Sequence, residues 1–215
     1  MNKKIEKYIL SLNSKKAVLY GPLLKKLPEI HKESLHFLID GGATFQDLIP
    51  GSISLGDGDS HSGHLDILLP KEKDLSDLGY ALNQLHEMRE LYFYGFIGKR
   101  LDHQLAVFGE TFHFLKKGNS QVCFFDNHVF ATNRKEVNLN ILDTFSIFSI
   151  EEMKLSISGQ AKYKLINQRI SPFSSHTLSN IGNGTIHIQA DKPFFIFYEC
   201  NSNKSHDMLL PLHKE

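Results

Sequence analysis

The sequence predicts a parallel α/β unit followed by an all-β unit, and three observations lead there. Short apolar runs alternate with helical stretches over roughly the first 120 residues, the spacing then turns strand-like, and a polar break, TNRKEVN, lies near Asn133. The division this suggests is a first domain over 1–133 and a second over 134–215.

In the first half the apolar runs at Ala17 to Tyr20, Leu35 to Ile39, Ile53 to Leu55, Leu65 to Leu69 and Leu91 to Tyr94 read as strands of a Rossmann-like sheet. Between the last two, LSDLGYALNQLHEMRE places Leu78, Leu82, Leu85 and Met88 at helical spacing, with Asp77 near the helix start. A second helix is predicted from Leu101 to Lys116, closed by Gly118. Beyond it QVCFFDNHVFATN, TFSIFSI, KLSISGQAKYKL and GTIHIQADKPFFIFYE are short strand-like runs separated by Asn, Gly, Ser and Pro, as in a β-sandwich.

With 215 residues, 41% of them hydrophobic, the chain can bury a normal core. Lys plus Arg and Asp plus Glu both total 24, so no net field draws the chain to nucleic acid or an acidic membrane surface, and any phosphate binding must be local. The start, MNKKIEKYILSLNSKK, is charged throughout, and no stretch has the length of a membrane span, so a cytoplasmic protein is expected. Cys123 and Cys200 lie in apolar runs and read as buried free thiols.

Four predicted strands of the first half end in Gly, Asp or both: Gly21, Asp40-Gly41-Gly42, Gly56-Asp57-Gly58-Asp59 and Gly95. Each loop taken singly is an ordinary turn, but in an open parallel sheet all four converge on one crevice at the carboxyl ends of the strands. Asp57 and Asp59 stand two apart, on one face if the backbone is extended, and paired carboxylates tolerate one another when a cation such as Mg²⁺ lies between them. Asp77 is a third acid able to help, beside a helix N-terminus that favours phosphate oxygens, although Ser76 and Asp77 alone read as an N-cap and a first-turn acid. GFIGKRLDH, from Gly95 to His103, fits neither a dinucleotide glycine motif nor a P-loop; it reads as a phosphate cradle in which Arg100 grips oxygens and Asp102 orients it or a sugar hydroxyl, or else as a surface ion pair.

In this order, IDGGAT, GDGDS, KDLSD and GFIGKRLDH resemble the motifs of the thiamine pyrophosphokinase (thiamin diphosphokinase) family, and GQAKYKL and LSN are similar to two segments of that family's second domain. The resemblance runs roughly from Gly21 to Tyr198 and rests on joint order more than on any single motif. It implies a homodimer whose α/β domain holds Mg²⁺ and ATP and whose β-sandwich helps build a thiamine pocket. It further implies that Asp57, Asp59 and Asp77 bind the metal with Asp40 close by, that Ser76, Gly95, Gly98, Arg100 and Asp102 serve the nucleotide, and that Tyr163, Ser179 and Asn180 line the thiamine site. Asp74 is expected between the two sites, and Asp74 or Asp77 near the proton of the attacking hydroxyl. The chain departs from the family at Gly58, where a Phe is usual, at Thr44 for Asn, at Lys99 for Gly, and at Gln160-Ala161 for Leu.

The expected reaction is in-line attack of a substrate hydroxyl on the β-phosphorus of ATP, with AMP leaving. Three other readings stand beside it. The acceptor is another carbinol, such as a pterin alcohol; or the chain is an inactive nucleotide- or thiamine-binding module; or HSGHLD, His61 to Asp66, is a metallohydrolase site, though its HxxHxD spacing differs from that of paired zinc. From its alternating pattern alone, Tyr163 falls on the apolar face of a strand and reads as a core residue.

Overall fold

The structure is a computed structural model that describes residues 2–59, 63–126 and 128–198; Ser60, His61 and Cys200 lie outside the described residues. The chain forms two compact units, one ending at Gly118 and the other beginning at Asn119. The units therefore part where the periodicity changes, ahead of the polar TNRKEVN stretch, and the two strands that lie between those points group with the second unit.

The first unit contains α1 (Lys3–Leu12), β1 (Lys16–Tyr20), β2 (Leu35–Ile39), a 3-10 helix (Asp40–Leu48), β3 (Ile53–Gly56), β4 (Ile67–Leu68), α2 (Asp77–Gln84), β5 (Glu90–Tyr94) and α3 (Leu101–Lys117). Its strands pair in parallel in the order β5-β1-β2-β3-β4. Every residue of β2 and all but the first of β1 are buried, as expected of central parallel strands covered on both faces rather than of an alternating, half-exposed sheet.

The helices start and stop where local chemistry dictates. Asn2 caps α1 by accepting the Lys4 N–H at 2.9 Å, Ser76 caps α2, and α3 ends at Gly118. α1 was not anticipated, although Ile5, Tyr8, Ile9 and Leu12 recur at helical spacing among its lysines; of these Ile5 is buried. α2 stops at Gln84, yet Leu85 and Met88 are still fully buried, so their helical spacing marks burial beyond the helix itself. The predicted strand over Leu65 to Leu69 contracts to Ile67–Leu68, because it lies at the sheet edge with Leu68 exposed.

The second unit contains β6 (Val122–Phe125), β7 (Val129–Thr132), β8 (Glu136–Ile141), β9 (Thr144–Phe148), β10 (Met153–Ala161), β11 (Leu165–Ile170), a 3-10 turn (Ser175–Thr177), β12 (Asn180–Ala190) and β13 (Phe194–Tyr198). Its pairings are all antiparallel. The long strand β12 links two groups of strands: Asn180 and Ile181 pair with β9, whereas Gly184 to Gln189 pair with β8. Phe130, Phe145, Ile147 and Ile196 from one group share a core with Leu139, Leu155, Ile157 and Ile188 from the other. Cys123 is a buried free thiol whose pKa burial pushes up, as its apolar run suggested. Among the described residues no helix is long and apolar enough to cross a membrane.

Candidate active site

Parallel pairing brings the carboxyl ends of β5, β1, β2 and β3 to one side of the first unit, with Tyr20 in register with both Tyr94 and Leu38, and Ile39 with Leu55. The loops that follow are tied to one another: the Gly21 N–H donates to the Tyr94 carbonyl at 2.7 Å and the Leu23 N–H to the Gly95 carbonyl at 3.0 Å. Gly95 has φ +74°, and a Cβ on it would lie 2.3 Å from the Leu24 nitrogen. Its small size thus serves the packing of loop on loop. At Gly98, with φ +124°, a Cβ would meet, among the described residues, only Leu23 at 3.9 Å, so that side of the loop is open.

Three acids converge at the ends of β2 and β3. Asp40, Asp57 and Asp59 each present a carboxylate oxygen within 4.8 Å of the others. The convergence comes from turns, not from the extended backbone that the two-residue spacing suggested: β3 ends at Gly56, Gly58 adopts φ +79°, and the Asp59 N–H folds back onto Asp57 Oδ1 at 3.2 Å. Asp40 also sits in left-handed backbone at φ 52°, a strain typical of residues held for a purpose. Asp77 borders the same place, since a Cβ on Gly56 would lie 3.4 Å from Asp77 Oδ2 and 3.1 Å from the Asp40 Cα.

Lys73 enters this group although sequence reasoning assigned it no role. Its ammonium lies 2.9 Å from Asp77 Oδ1 and 3.2 Å from Asp57 Oδ2. Burial pushes the Asp57 carboxyl up, but the Asp59 N–H and the Lys73 ammonium outweigh it and hold Asp57 below the usual carboxylate range. Burial likewise works against the Lys73 charge, and the two carboxylates more than compensate, leaving its pKa above the ordinary lysine value. The signal was present in KDLSD, where a lysine precedes an aspartate by four residues.

The donor set of Asp40, Asp57 and Asp59 is all carboxylate oxygen, which suits a hard divalent cation such as Mg²⁺ rather than a soft transition metal. At such spacing each carboxylate pair costs about 1 kcal/mol in water and about 3 kcal/mol at an effective dielectric of 20, a repulsion that a divalent cation removes.

The remaining residues are placed less tightly. The Ser76 hydroxyl accepts the Gly79 N–H at 2.9 Å and donates to Glu110 Oε1 at 3.3 Å, so its structural part is that of an N-cap. Asp74 is exposed in the segment just before it. In the loop before α3 the Gly98 N–H donates to Gln104 Oε1 at 2.8 Å, a contact absent from the sequence reading, and Lys99 takes φ 56°, a conformation that glycine holds without strain. Arg100 grips Asp102 through two hydrogen bonds, Nε to Oδ1 at 3.1 Å and Nη2 to Oδ2 at 2.5 Å. The Arg100 fork pulls the Asp102 carboxyl down to about 2, but the two side chains are 66% and 65% exposed, so the pair contributes little to stability.

In the second unit Tyr163 is not a core residue. A register shift between Gly159 and Ala161 interrupts the alternation, β10 ends at Ala161, and the Tyr163 ring is 56% exposed in the turn before β11, with Lys162 Nζ 5.1 Å from its centroid. Asn180 is 4% exposed and clamps that turn, accepting the Tyr163 N–H at 2.9 Å and donating to the Tyr163 carbonyl at 2.7 Å. Ser179, exposed at φ 53°, donates its N–H to Ser146 Oγ at 3.0 Å. Of the HSGHLD segment, Asp66 is engaged by the Ser54 N–H at 2.9 Å and the Lys4 ammonium at 2.5 Å, while His61 lies outside the described residues.

No protein-family model and no curated protein matches the sequence. Solved structures do resemble it. The thiamine pyrophosphokinase of Bacillus subtilis superposes with a TM-score of 0.70 at 19% identity, covering 86% of this chain and 100% of that one. That of Geobacillus thermodenitrificans gives 0.66 at 21% identity over 87% and 99%. The Candida albicans enzyme gives 0.62 at 16% identity over 87% and 90%. The likeness is one of architecture, a mixed α/β and β-rich chain of the same extent: the protein has the fold of the thiamine pyrophosphokinases of known structure.

Proposed function

We propose that this chain is a thiamine pyrophosphokinase that transfers the pyrophosphoryl group of Mg·ATP to the hydroxyl of thiamine, giving thiamine diphosphate and AMP. The observation that carries the reading is the convergence of Asp40, Asp57 and Asp59 at the strand ends of a chain with the pyrophosphokinase fold. In this reading the first unit is the Rossmann-like catalytic domain, the second a β-sandwich supplying thiamine contacts, and the working form a cytoplasmic homodimer.

Asp40, Asp57 and Asp59 would hold Mg²⁺, with Asp77 beside them. When bound, the cation neutralises phosphate charge and orients the polyphosphate. The protein's own groups do the rest. Arg100 offers a planar fork to phosphate oxygens, and Asp102 holds that fork in place until the nucleotide arrives. Ser76 keeps the first turn of α2 formed, so that its free N–H groups face incoming anions, while Gly95 and Gly98 shape the loop before α3. Asp74 is exposed and free to accept the proton of the attacking hydroxyl. The exposed Tyr163 ring would stack on the cationic thiazolium, with Asn180 fixing the turn that carries it and Ser179 adjacent.

A second acceptor, another carbinol such as a pterin alcohol, draws support from Gly58. Its φ of +79° disfavours the Phe usual in the family, so an aromatic wall beside the acids is missing. Thermal shift tests the assignment: thiamine together with Mg²⁺ and a non-hydrolysable ATP analogue should raise Tm beyond the analogue and Mg²⁺ alone. A shift with the pterin alcohol and none with thiamine would move the acceptor, and no shift with the analogue and Mg²⁺ would defeat the kinase reading itself.

A further inference from the structure

Lys73 stands where the proposed function has no task for it. It lies outside any helix, in the segment ahead of α2, and only 16% of its side chain is exposed. A lysine ammonium is strongly hydrated and is buried only against compensating charge, which here comes from Asp57 and Asp77 together. Both oxygens of Asp57 are engaged in this arrangement, Oδ1 by the Asp59 N–H and Oδ2 by Lys73. A divalent cation on the Asp40, Asp57 and Asp59 trio must share Asp57 with that ammonium, and two cations on one carboxylate repel.

We infer that Lys73 is the resident counter-cation of the acidic crevice: it holds Asp57 and Asp77 together in the metal-free chain, and a divalent cation must displace it to bind. Lysine suits this duty because its compact charge sits on a long flexible stem able to swing aside, which a bidentate arginine would resist. Lys73 then sets a threshold for loading. The bare cation binds weakly, and a cation arriving with polyphosphate binds better because the displaced ammonium gains an anionic partner. Lys73 is a positioning residue in this account, and the inference rests on the reading of the three aspartates as a metal site.

The test is nucleotide-free titration of the full chain with Mn²⁺ and Mg²⁺, followed by calorimetry, for the wild type, Lys73→Met, Lys73→Gln and Asp57→Asn. Both Lys73 variants should bind the bare cation about tenfold more tightly than the wild type, the effect of losing one charged contact from the competition. In EDTA they should melt about 2 to 4 °C lower, because Asp57 and Asp77 then lose the ammonium they share, and Mg²⁺ should restore the loss. Two neutral variants of different shape keep the result independent of a folding defect in either. Equal or weaker cation binding by both variants overturns the role of Lys73 while leaving the metal site standing. No binding to any of the chains, or undiminished binding by Asp57→Asn, overturns the metal site and the inference with it.

Discussion

The acidic crevice and the loop before α3 carry charges of opposite purpose, and they are held in opposite ways. In the crevice Asp57, Asp77 and Lys73 interlock with side chains mostly hidden from solvent, and Asp40 is fixed in a strained backbone. At that loop and the first turn of α3, Arg100 and Asp102 are largely in solvent and grip each other, with the His103 N–H as a further partner of Asp102. The same contrast recurs in the second unit, where the buried Asn180 fixes the turn while the Tyr163 ring it carries stays exposed. Geometry set by neighbours survives without a ligand, whereas exposed groups complete their geometry only when a ligand supplies the partner.

The largest effect should come from breaking the fixed half. If the acids hold Mg²⁺ as proposed, Asp57→Asn or Asp59→Asn is expected to lower kcat on the order of a hundredfold or more, with the fold retained by circular dichroism, because each removes a metal-binding charge without opening a cavity. Near wild-type turnover at saturating Mg²⁺ would place the crevice outside the chemistry.

Next comes the exposed half. Arg100→Ala should lower kcat/KM for ATP roughly tenfold to a hundredfold, as loss of a charge-assisted fork implies, with Tm almost unchanged because the pair contributes little in solvent. Lys99→Ala should do much less. If Lys99→Ala proves the more damaging change, the loop has been misassigned.

Tyr163→Ala should raise the thiamine KM about tenfold, near 1.4 kcal/mol, and leave the ATP KM alone. Its exposure predicts an unchanged melting temperature. A large drop in Tm, or equal loss for both substrates, would contradict a ligand-facing ring.

The smallest effect concerns β2, the strand that delivers Asp40. His36 on that strand is nearly buried and hydrogen-bonded to the Tyr20 hydroxyl at 3.0 Å, and burial lowers its pKa below the ordinary 6.5. The unfolded chain therefore binds the proton more readily, so stability present above about pH 6.5 declines as pH falls through the folded-state value, by up to about 1.4 kcal/mol per pH unit. Urea titrations between pH 7.5 and 5.5, paired with His36→Gln, check this: the variant should lose that part of the slope, and an unchanged slope would assign the pH dependence elsewhere.

Much of this contrast was legible in the sequence because it rides on strand ends. The apolar runs ending at Tyr20, Ile39, Leu55 and Tyr94 located the strands, and the Asp residues after Ile39 and Leu55 located the acid cluster. Two things were not legible, each for a physical reason, and a third was overlooked. Lys73 reaches Asp57 through tertiary folding, which no local pattern encodes. Tyr163 left its strand because the irregularity at Gly159 and Ala161 broke an alternation that looked continuous. And α1 was legible: Ile5, Tyr8, Ile9 and Leu12 recur at helical spacing behind the Asn2 cap, a stripe that the charges around it obscured.

The most direct test of the central claim is product analysis of the purified chain with Mg·ATP and thiamine. Phosphorus NMR, or chromatography of the nucleotides, should find AMP and thiamine diphosphate formed in equal amounts, dependent on both Mg²⁺ and thiamine, and lost in Asp57→Asn. Formation of ADP in place of AMP, or AMP release that ignores thiamine or survives Asp57→Asn, would contradict it.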